Sequence, residues 1–403
     1  MSVDHSEAVR LLTDRVDRIE TEESDLENAF GRILGEDVTA RGNVPSFDRS
    51  PYDGYAFKAS DTEDASADHP VTLAVIENIR AGQIPRQRVT GGTAIRLMTG
   101  APIPEGADAV CKYDHTEYTD DSVSIRQSFG SGDNIIKAGE DIKKGALIAR
   151  KGYPVDAGLS GTLASLGMMS VSVYKRPVAA LITTGDEVTD PEDELPPGKV
   201  RDSNRYSIAA ALSNIGIDTV FLGHADDSVS GIAELIRQGE EACDVIISTG
   251  GVSAGDYDLV PDAMTKCGYG IFVRGVAMKP GMACAYGIKD KKLMLALSGN
   301  PASSLTNLQC ICYPALKKMA GYASYDHQIV RFKLGSDILK AKGKGTRFVR
   351  GRSIIREKEL YLDVPSAQGN VVISSAVFCD AYGILSGAVN PTESGSYIDG
   401  FFV

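Results

Sequence analysis

Residues 178–187 read Val178-Ala179-Ala180-Leu181-Ile182-Thr183-Thr184-Gly185-Asp186-Glu187. A short, unbroken apolar run closed by Thr, Gly and acid predicts a strand buried on both faces that empties into a polar loop. The pattern recurs downstream. Residues 244–248 read as a strand with an apolar middle and lead into Thr249-Gly250-Gly251-Val252-Ser253-Ala254-Gly255-Asp256. Residues 292–297 lead into Ser298-Gly299-Asn300-Pro301. Helical spacing fills the intervals at 203–212 (Asp202 or Ser203 as N-cap), 229–239, 259–267 and 302–319. Further strands are expected at 219–222, 271–276 and 283–286. Repeated strand–helix units predict an α/β domain over 177–326, with a parallel sheet covered on both faces.

The flanks have a different texture. Residues 6–35 read as helical, in two stretches that end near Gly35. Short β-prone runs at 71–76, 93–98, 109–113 and 122–127 predict a small β domain over 46–136. Residues 1–45 and 137–176 make a bridging helical/β domain, with strands at 146–149 and 171–173 around a helix at 159–166. A C-terminal β-barrel-like domain over 327–403 is expected from strands at 329–334, 347–354, 359–364 and 381–385.

Ligands of open α/β sheets bind beyond the carboxyl ends of the strands. Gly-rich loops there let backbone N–H groups approach a phosphate. The nearby acids, Glu187 and the Asp226–Asp227 pair, cannot bind phosphate alone but can hold Mg²⁺ that bridges to it. The combination reads as a phosphorylated ligand with a divalent metal. Gly-Asp and Gly-Asn also form plain turns, but three such loops on one sheet edge favour a site. No GxxxxGK[ST] or GxGxxG pattern occurs. Lys279 lies in Met278-Lys279-Pro280-Gly281, a loop fixed by proline and glycine, and Arg274 lies just before it. A second dense loop, Ser50-Pro51-Tyr52-Asp53-Gly54-Tyr55-Ala56, follows neither helical nor strand periodicity and reads as a functional or packed Ω-loop.

The net charge of −12 argues against a nucleic-acid partner. Seven cysteines without a CxxC pair, and five scattered histidines, argue against a zinc site or disulfide framework. The polar N-terminus is no signal peptide, and no apolar run reaches the ~20 residues a bilayer requires. A cytoplasmic protein with reduced thiols is the expectation.

In chain order, Ser50 to Ala56, Arg96-Leu97-Met98-Thr99-Gly100-Ala101-Pro102, Gly139-Glu140-Asp141-Ile142, Thr184-Gly185-Asp186-Glu187, Gly250-Gly251-Val252-Ser253, Met278-Lys279-Pro280-Gly281 and Ser298-Gly299-Asn300-Pro301 run through nearly the whole sequence. Together they resemble the molybdenum insertase family, the molybdopterin molybdenumtransferases called MoeA in bacteria and represented by the gephyrin E domain in animals. The resemblance implies the last step of molybdenum cofactor synthesis. Adenylylated molybdopterin and molybdate are the substrates, AMP leaves with the help of Mg²⁺, and the metal ends on the dithiolene. It implies an elongated homodimer whose cleft lies between the α/β domain and the partner's small β domain. Transient contacts with the adenylylating enzyme and with cofactor acceptors are implied too.

Position by position, the resemblance assigns Asp53, Thr99, Glu187 and Lys279 to catalysis. Asp141, Glu187, Asp226, Asp227 and Asp258 become metal ligands. Thr184, Gly185, Gly250, Gly251, Ser253, Arg274, Ser298, Gly299, Asn300 and Pro301 become the substrate cradle. The chain departs from the family at Gly275, where many members are basic, at Met282, where a second lysine is common, and at Ser298, where proline is common. These departures imply a less cationic oxyanion site, or one in which Arg274 substitutes. Three other readings compete. One is the adenylylating enzyme, disfavoured by Gly250-Gly251-Val252-Ser253 and the flanking β domains. The others are a scaffold and a non-catalytic cofactor carrier.

Overall fold

The run at 178–184 is a strand, β1 (Val178–Thr184), and the alternation continues from it. There follow α1 (Asn204–Ser213), β2 (Asp218–Ala225), α2 (Val229–Ala242), β3 (Val245–Thr249), α3 (Val260–Lys266), β4 (Gly270–Arg274), β5 (Cys284–Lys289), β6 (Lys292–Leu297) and α4 (Pro301–Asn307). The computed structural model describes residues 2–252, 259–338, 345–385 and 392–403.

The sheet order is β2-β1-β3-β6-β5-β4. Side chains alternate across it. Ala179, Leu181, Val245, Ile247, Leu293 and Leu295 enter one core, and Ala180, Ile182, Ile246, Met294 and Ala296 enter the other. Two buried faces explain the unbroken apolar runs. The expected parallel sheet is present and is extended by antiparallel pairing. β2, β1, β3 and β6 are parallel, whereas β5 and β4 are antiparallel additions. Only Asp290 and Lys291 separate β5 from β6, both at positive φ (46° and 71°). A two-residue hairpin has no room for a crossover, so the strand must reverse.

The expected single helix at 302–319 is broken. A π-helical turn, Leu308–Cys312, separates α4 from Tyr313–Met319. Pro314 has no N–H for the carbonyl four residues back, that of Cys310, and its ring would crowd it. His327 Nε2 sits 3.2 Å from that carbonyl, and its ring stacks on Phe401 at 3.8 Å. The neutral ring thus donates to the acceptor that proline abandons. Burial, with Lys317 adding to it, lowers the His327 pKa to about 4. The folded value lies below the unfolded one, so this stability is present above about pH 6.5 and is lost as pH falls towards 4. We expect acid to cost the wild type up to about 3 kcal/mol more than His327→Gln across that window. Urea titrations at pH 7 and pH 4.5 measure it, and equal losses in both proteins would refute it.

The described residues form two compact units. The first comprises Met1–Glu36, Lys151–Val155 and Val171–Val403. Its N-terminal helix, His5–Arg15, is capped by Asp4 and packs Ala8 and Leu12 into the α/β core. The second helical stretch expected before Gly35 shrinks to Leu26–Ala29. Ahead of it, Thr21–Asp25 is a strand paired with Ser170–Tyr174. Residues 17–25 are polar and mostly acidic apart from Ile19 and carry no apolar stripe, so a solvated edge strand wins over helix. The C-terminal strands Val330–Leu334, Thr346–Arg356, Glu359–Asp363, Ala381–Leu385 and Tyr397–Phe402 close into a small barrel through pairing of the second with the fourth. The strand at 397–402 was not among those expected.

The second unit comprises Asp37–Arg150 and Asp156–Ser170. In its six-stranded sheet Gly54–Phe57 lies one strand in from the edge and is buried on both faces, with Tyr55 and Phe57 on one side and Ala56 on the other. Gly54 is needed there, because a Cβ would sit 2.1 Å from the Cys111 carbonyl oxygen. All cysteines are free, and all but the half-buried Cys379 are buried. Burial raises every thiol pKa, to about 11 for Cys111 and Cys379.

Candidate active site

β1, β3 and β6 are neighbours that end level. Thr183 lies beside Thr249, and Thr249 beside Leu297. After β1 the chain turns to β2 on one side, and after β2 it crosses to β3 on the other. That reversal opens a crevice between the loops that follow β1 and β3. The loops stack backbone on backbone. The Gly250 amide donates to the Leu297 carbonyl at 3.0 Å, and the Thr184 hydroxyl donates to the Thr249 carbonyl at 3.4 Å. Gly250 has φ +99°, and a Cβ on it would lie 2.6 Å from the Thr184 carbonyl oxygen. A Cβ on Gly299 would lie 3.4 Å from the Gly250 Cα. Only glycine permits this approach at Gly250.

The crevice is a cleft of about 730 Å³ lined by Thr184, Gly185, Glu187, Asp227, Gly250, Gly251, Ser298, Gly299, Asn300 and Pro301. The structure thus gathers most of the expected cradle. Glu187 is exposed, and its carboxylate folds back over Gly185. The Asp227 carboxylate accepts the Asp186 amide at 3.3 Å. Asp226 is not among the lining residues; its carboxylate accepts the Ser228 hydroxyl at 2.8 Å at the start of α2. Ser253 and Asp258 lie outside the described residues.

The described lining carries three acids, Glu187, Asp202 and Asp227, against one arginine, Arg201. The Arg201 guanidinium is engaged by the carbonyls of Pro191 and Asp193 at 3.0 and 3.4 Å. Such a cleft repels a bare phosphate and suits one that arrives with a divalent cation. No group of three or more His, Cys, Asp and Glu arranged to hold a metal occurs among the described residues. Mg²⁺ is commonly held by one or two carboxylates plus substrate phosphates, so Glu187 and Asp227 fit that ion.

Several lining residues escape the sequence reading. Asn204 opens α1, and its Nδ2 donates to the Gly299 carbonyl at 2.9 Å. Its Oδ1 accepts from the Ser304 hydroxyl at 3.2 Å, so it ties α1 to α4 beneath the cleft. Val371 and Ile373, carried by the C-terminal barrel, form part of the wall, and the Ala302 amide donates to the Asn370 carbonyl at 3.1 Å. A polar residue just inside a helix start was the only available signal for Asn204. Nothing local marks 371–373.

Lys279 and Arg274 are exposed and are not among the described cleft-lining residues. Asp53, Thr99 and Asp141 belong to the second unit. There, Thr99 donates its amide (2.7 Å) and its hydroxyl (2.8 Å) to Asp53 Oδ1. These bonds, with Arg96 nearby, hold the Asp53 carboxyl below the usual carboxylate range. Asp141 is exposed, and its amide donates to the Val44 carbonyl at 3.1 Å.

Comparison with known proteins agrees with this geometry. Residues 3–167 match the MoeA N-terminal region (domain I and II), and residues 180–318 match the probable molybdopterin binding domain. The molybdopterin molybdenumtransferase of Bacillus subtilis is 35% identical over 96% of this chain and 91% of its own. That of Staphylococcus aureus is 36% identical over 82% of this chain and 78% of its own. A crystal structure of the molybdopterin biosynthesis MoeA protein of Pyrococcus horikoshii covers 100% of both chains at 28% identity, with a TM-score of 0.86. No helix among the described residues is long and apolar enough to cross a membrane. With both halves of the chain and its whole fold matched, the chain belongs to the molybdopterin molybdenumtransferase family and is a transferase of molybdenum cofactor biosynthesis.

Proposed function

We propose that the chain transfers molybdenum from molybdate to adenylylated molybdopterin with Mg²⁺-dependent release of AMP. The observation that carries the reading is the convergence of three glycine-bearing strand-end loops on one cleft edged by Glu187 and Asp227. The Gly250 and Ser298 loops cradle the pterin phosphate with backbone N–H groups. Glu187 and Asp227 would hold Mg²⁺, and the bound ion would supply charge neutralisation at the phosphoanhydride. Lys279 offsets the oxyanion charge. Asp53, whose carboxyl accepts two bonds from Thr99, takes its role in the reaction from the family resemblance. Homodimerisation, a cytoplasmic location and hand-over to acceptor enzymes belong to the same reading and rest on the family resemblance.

The test supplies purified protein with adenylylated molybdopterin, Mg²⁺ and molybdate. AMP should form only with molybdate present and should cease on chelation of Mg²⁺. Normal substrate binding without AMP would favour a cofactor carrier instead. Asp53→Ala and Glu187→Ala should each keep the fold and slow AMP release about 100-fold. Wild-type rates in both would remove these residues from the site.

A further inference from the structure

Lys279 is carried by a segment held on both sides by backbone. Met278 and Lys279 pair in parallel with Thr346 and Arg347 of the barrel, and the Thr346 amide donates to the Ala277 carbonyl at 2.9 Å. On the other side lies the beginning of the chain. The Val3 amide donates to the Gly275 carbonyl at 3.1 Å, and the Ala277 amide donates to the Val3 carbonyl at 2.7 Å. Val3 and Val276 thereby form a parallel bridge. Two residues on, His5 Nδ1 lies 2.9 Å from the Thr346 hydroxyl, and the His5 ring meets Phe348 edge-on at 5.6 Å. Residues 275–279 are thus the middle strand of a small three-stranded patch whose outer strand is the N-terminus. Met278 is buried, and Lys279 beside it is exposed, with no ion-pair partner among the described residues.

We propose that the N-terminal residues act as a clamp that aims the Lys279 ammonium, with Val3 as the positioning residue. The inference rests on the reading that Lys279 meets the oxyanion. Lysine is a point charge on a flexible stem, so its aim depends on the backbone that carries it. Both amides of the Val3 bridge are backbone groups, so side-chain identity at position 3 matters less than a free N–H. Gly275 gives the segment no side chain of its own, so its aim is set by backbone bonds, of which the Val3 bridge supplies those on one side.

The experiment measures molybdate KM, adenylylated molybdopterin KM, kcat and thermal midpoint in full-length Val3→Pro, Val3→Ala and Lys279→Ala. Proline removes the donor to Gly275, while alanine keeps it. Asp4, which caps the helix through the Ser6 amide at 3.0 Å, is untouched in both. Val3→Pro should raise molybdate KM about ten-fold with the other KM unchanged, the scale expected for a misplaced contact group, and Val3→Ala should behave as wild type. A raised molybdate KM in Lys279→Ala beside an unchanged one in Val3→Pro overturns the clamp alone. A lower thermal midpoint in Val3→Pro without a change in molybdate KM also overturns it, because the bridge would then be only structural. A wild-type molybdate KM in Lys279→Ala overturns the reading of Lys279, and the clamp with it.

Discussion

Gly250→Ala should abolish molybdate-dependent AMP formation and destabilise the fold by about 2–4 kcal/mol. The backbone at Gly250 has φ +99°, and the added Cβ would meet the Thr184 carbonyl oxygen at 2.6 Å and its hydroxyl at 2.5 Å. The hydroxyl could turn about χ1, but the carbonyl oxygen is backbone and cannot swing away. The loop after β3 must therefore retreat from the loop after β1 and lose the bond from the Gly250 amide to Leu297. Gly82 provides the control. It too has positive φ (+83°), but a Cβ there meets nothing within 4 Å, so its alanine should cost only about 1 kcal/mol and leave activity intact. Urea unfolding and AMP release on both variants check this. Equal effects at Gly250 and Gly82 would mean that close approach of the loops does not matter.

The second large effect is expected for Asn307→Ala. Asn307 is fully buried in α4. Its Nδ2 donates to the Gly281 carbonyl at 2.8 Å, and its Oδ1 accepts the Tyr286 hydroxyl at 2.6 Å. Tyr286 is itself fully buried, so alanine strands a hydroxyl and a carbonyl away from water and leaves a void. The cost should be about 3–4 kcal/mol, against about 1 kcal/mol for Tyr286→Phe, which removes one partner of one bond. The double variant should cost less than the sum of the two, because the shared bond is lost only once. Strict additivity would show that the pair does not interact. Because Gly281 follows Lys279-Pro280, Asn307→Ala should also raise molybdate KM.

The strand-end loops were legible because their chemistry is local. Apolar runs such as 178–182 and 292–297, ended by Gly and polar residues, carry strand, burial and site in one stretch. The reversal at β5 was not legible, because a buried antiparallel strand has the same apolar composition as a parallel one. The break in the last helix depends on Pro314 together with His327, far enough apart that helical spacing alone continues through it. The wall at Val371 and Ile373 and the Val3 bridge are non-local pairings made by backbone or by exposed apolar residues, and no periodicity marks them. At Asn204 the sequence showed a helix start, where Asp202 does accept the Arg205 amide at 3.0 Å. The amide that reaches Gly299 required the third dimension.

The placement of the thiols bears on where a thiophilic metal can go. Under the proposed reaction, molybdenum must end on a pair of dithiolene sulfurs, and any accessible protein thiolate would compete for it. None of the cysteines lines the described cleft, and burial raises the pKa of each, so at neutral pH they are protonated, weak ligands. The substrate would then offer the only good sulfur donors near the metal. The fold would bias the outcome of insertion simply by keeping its own sulfur out of the contest.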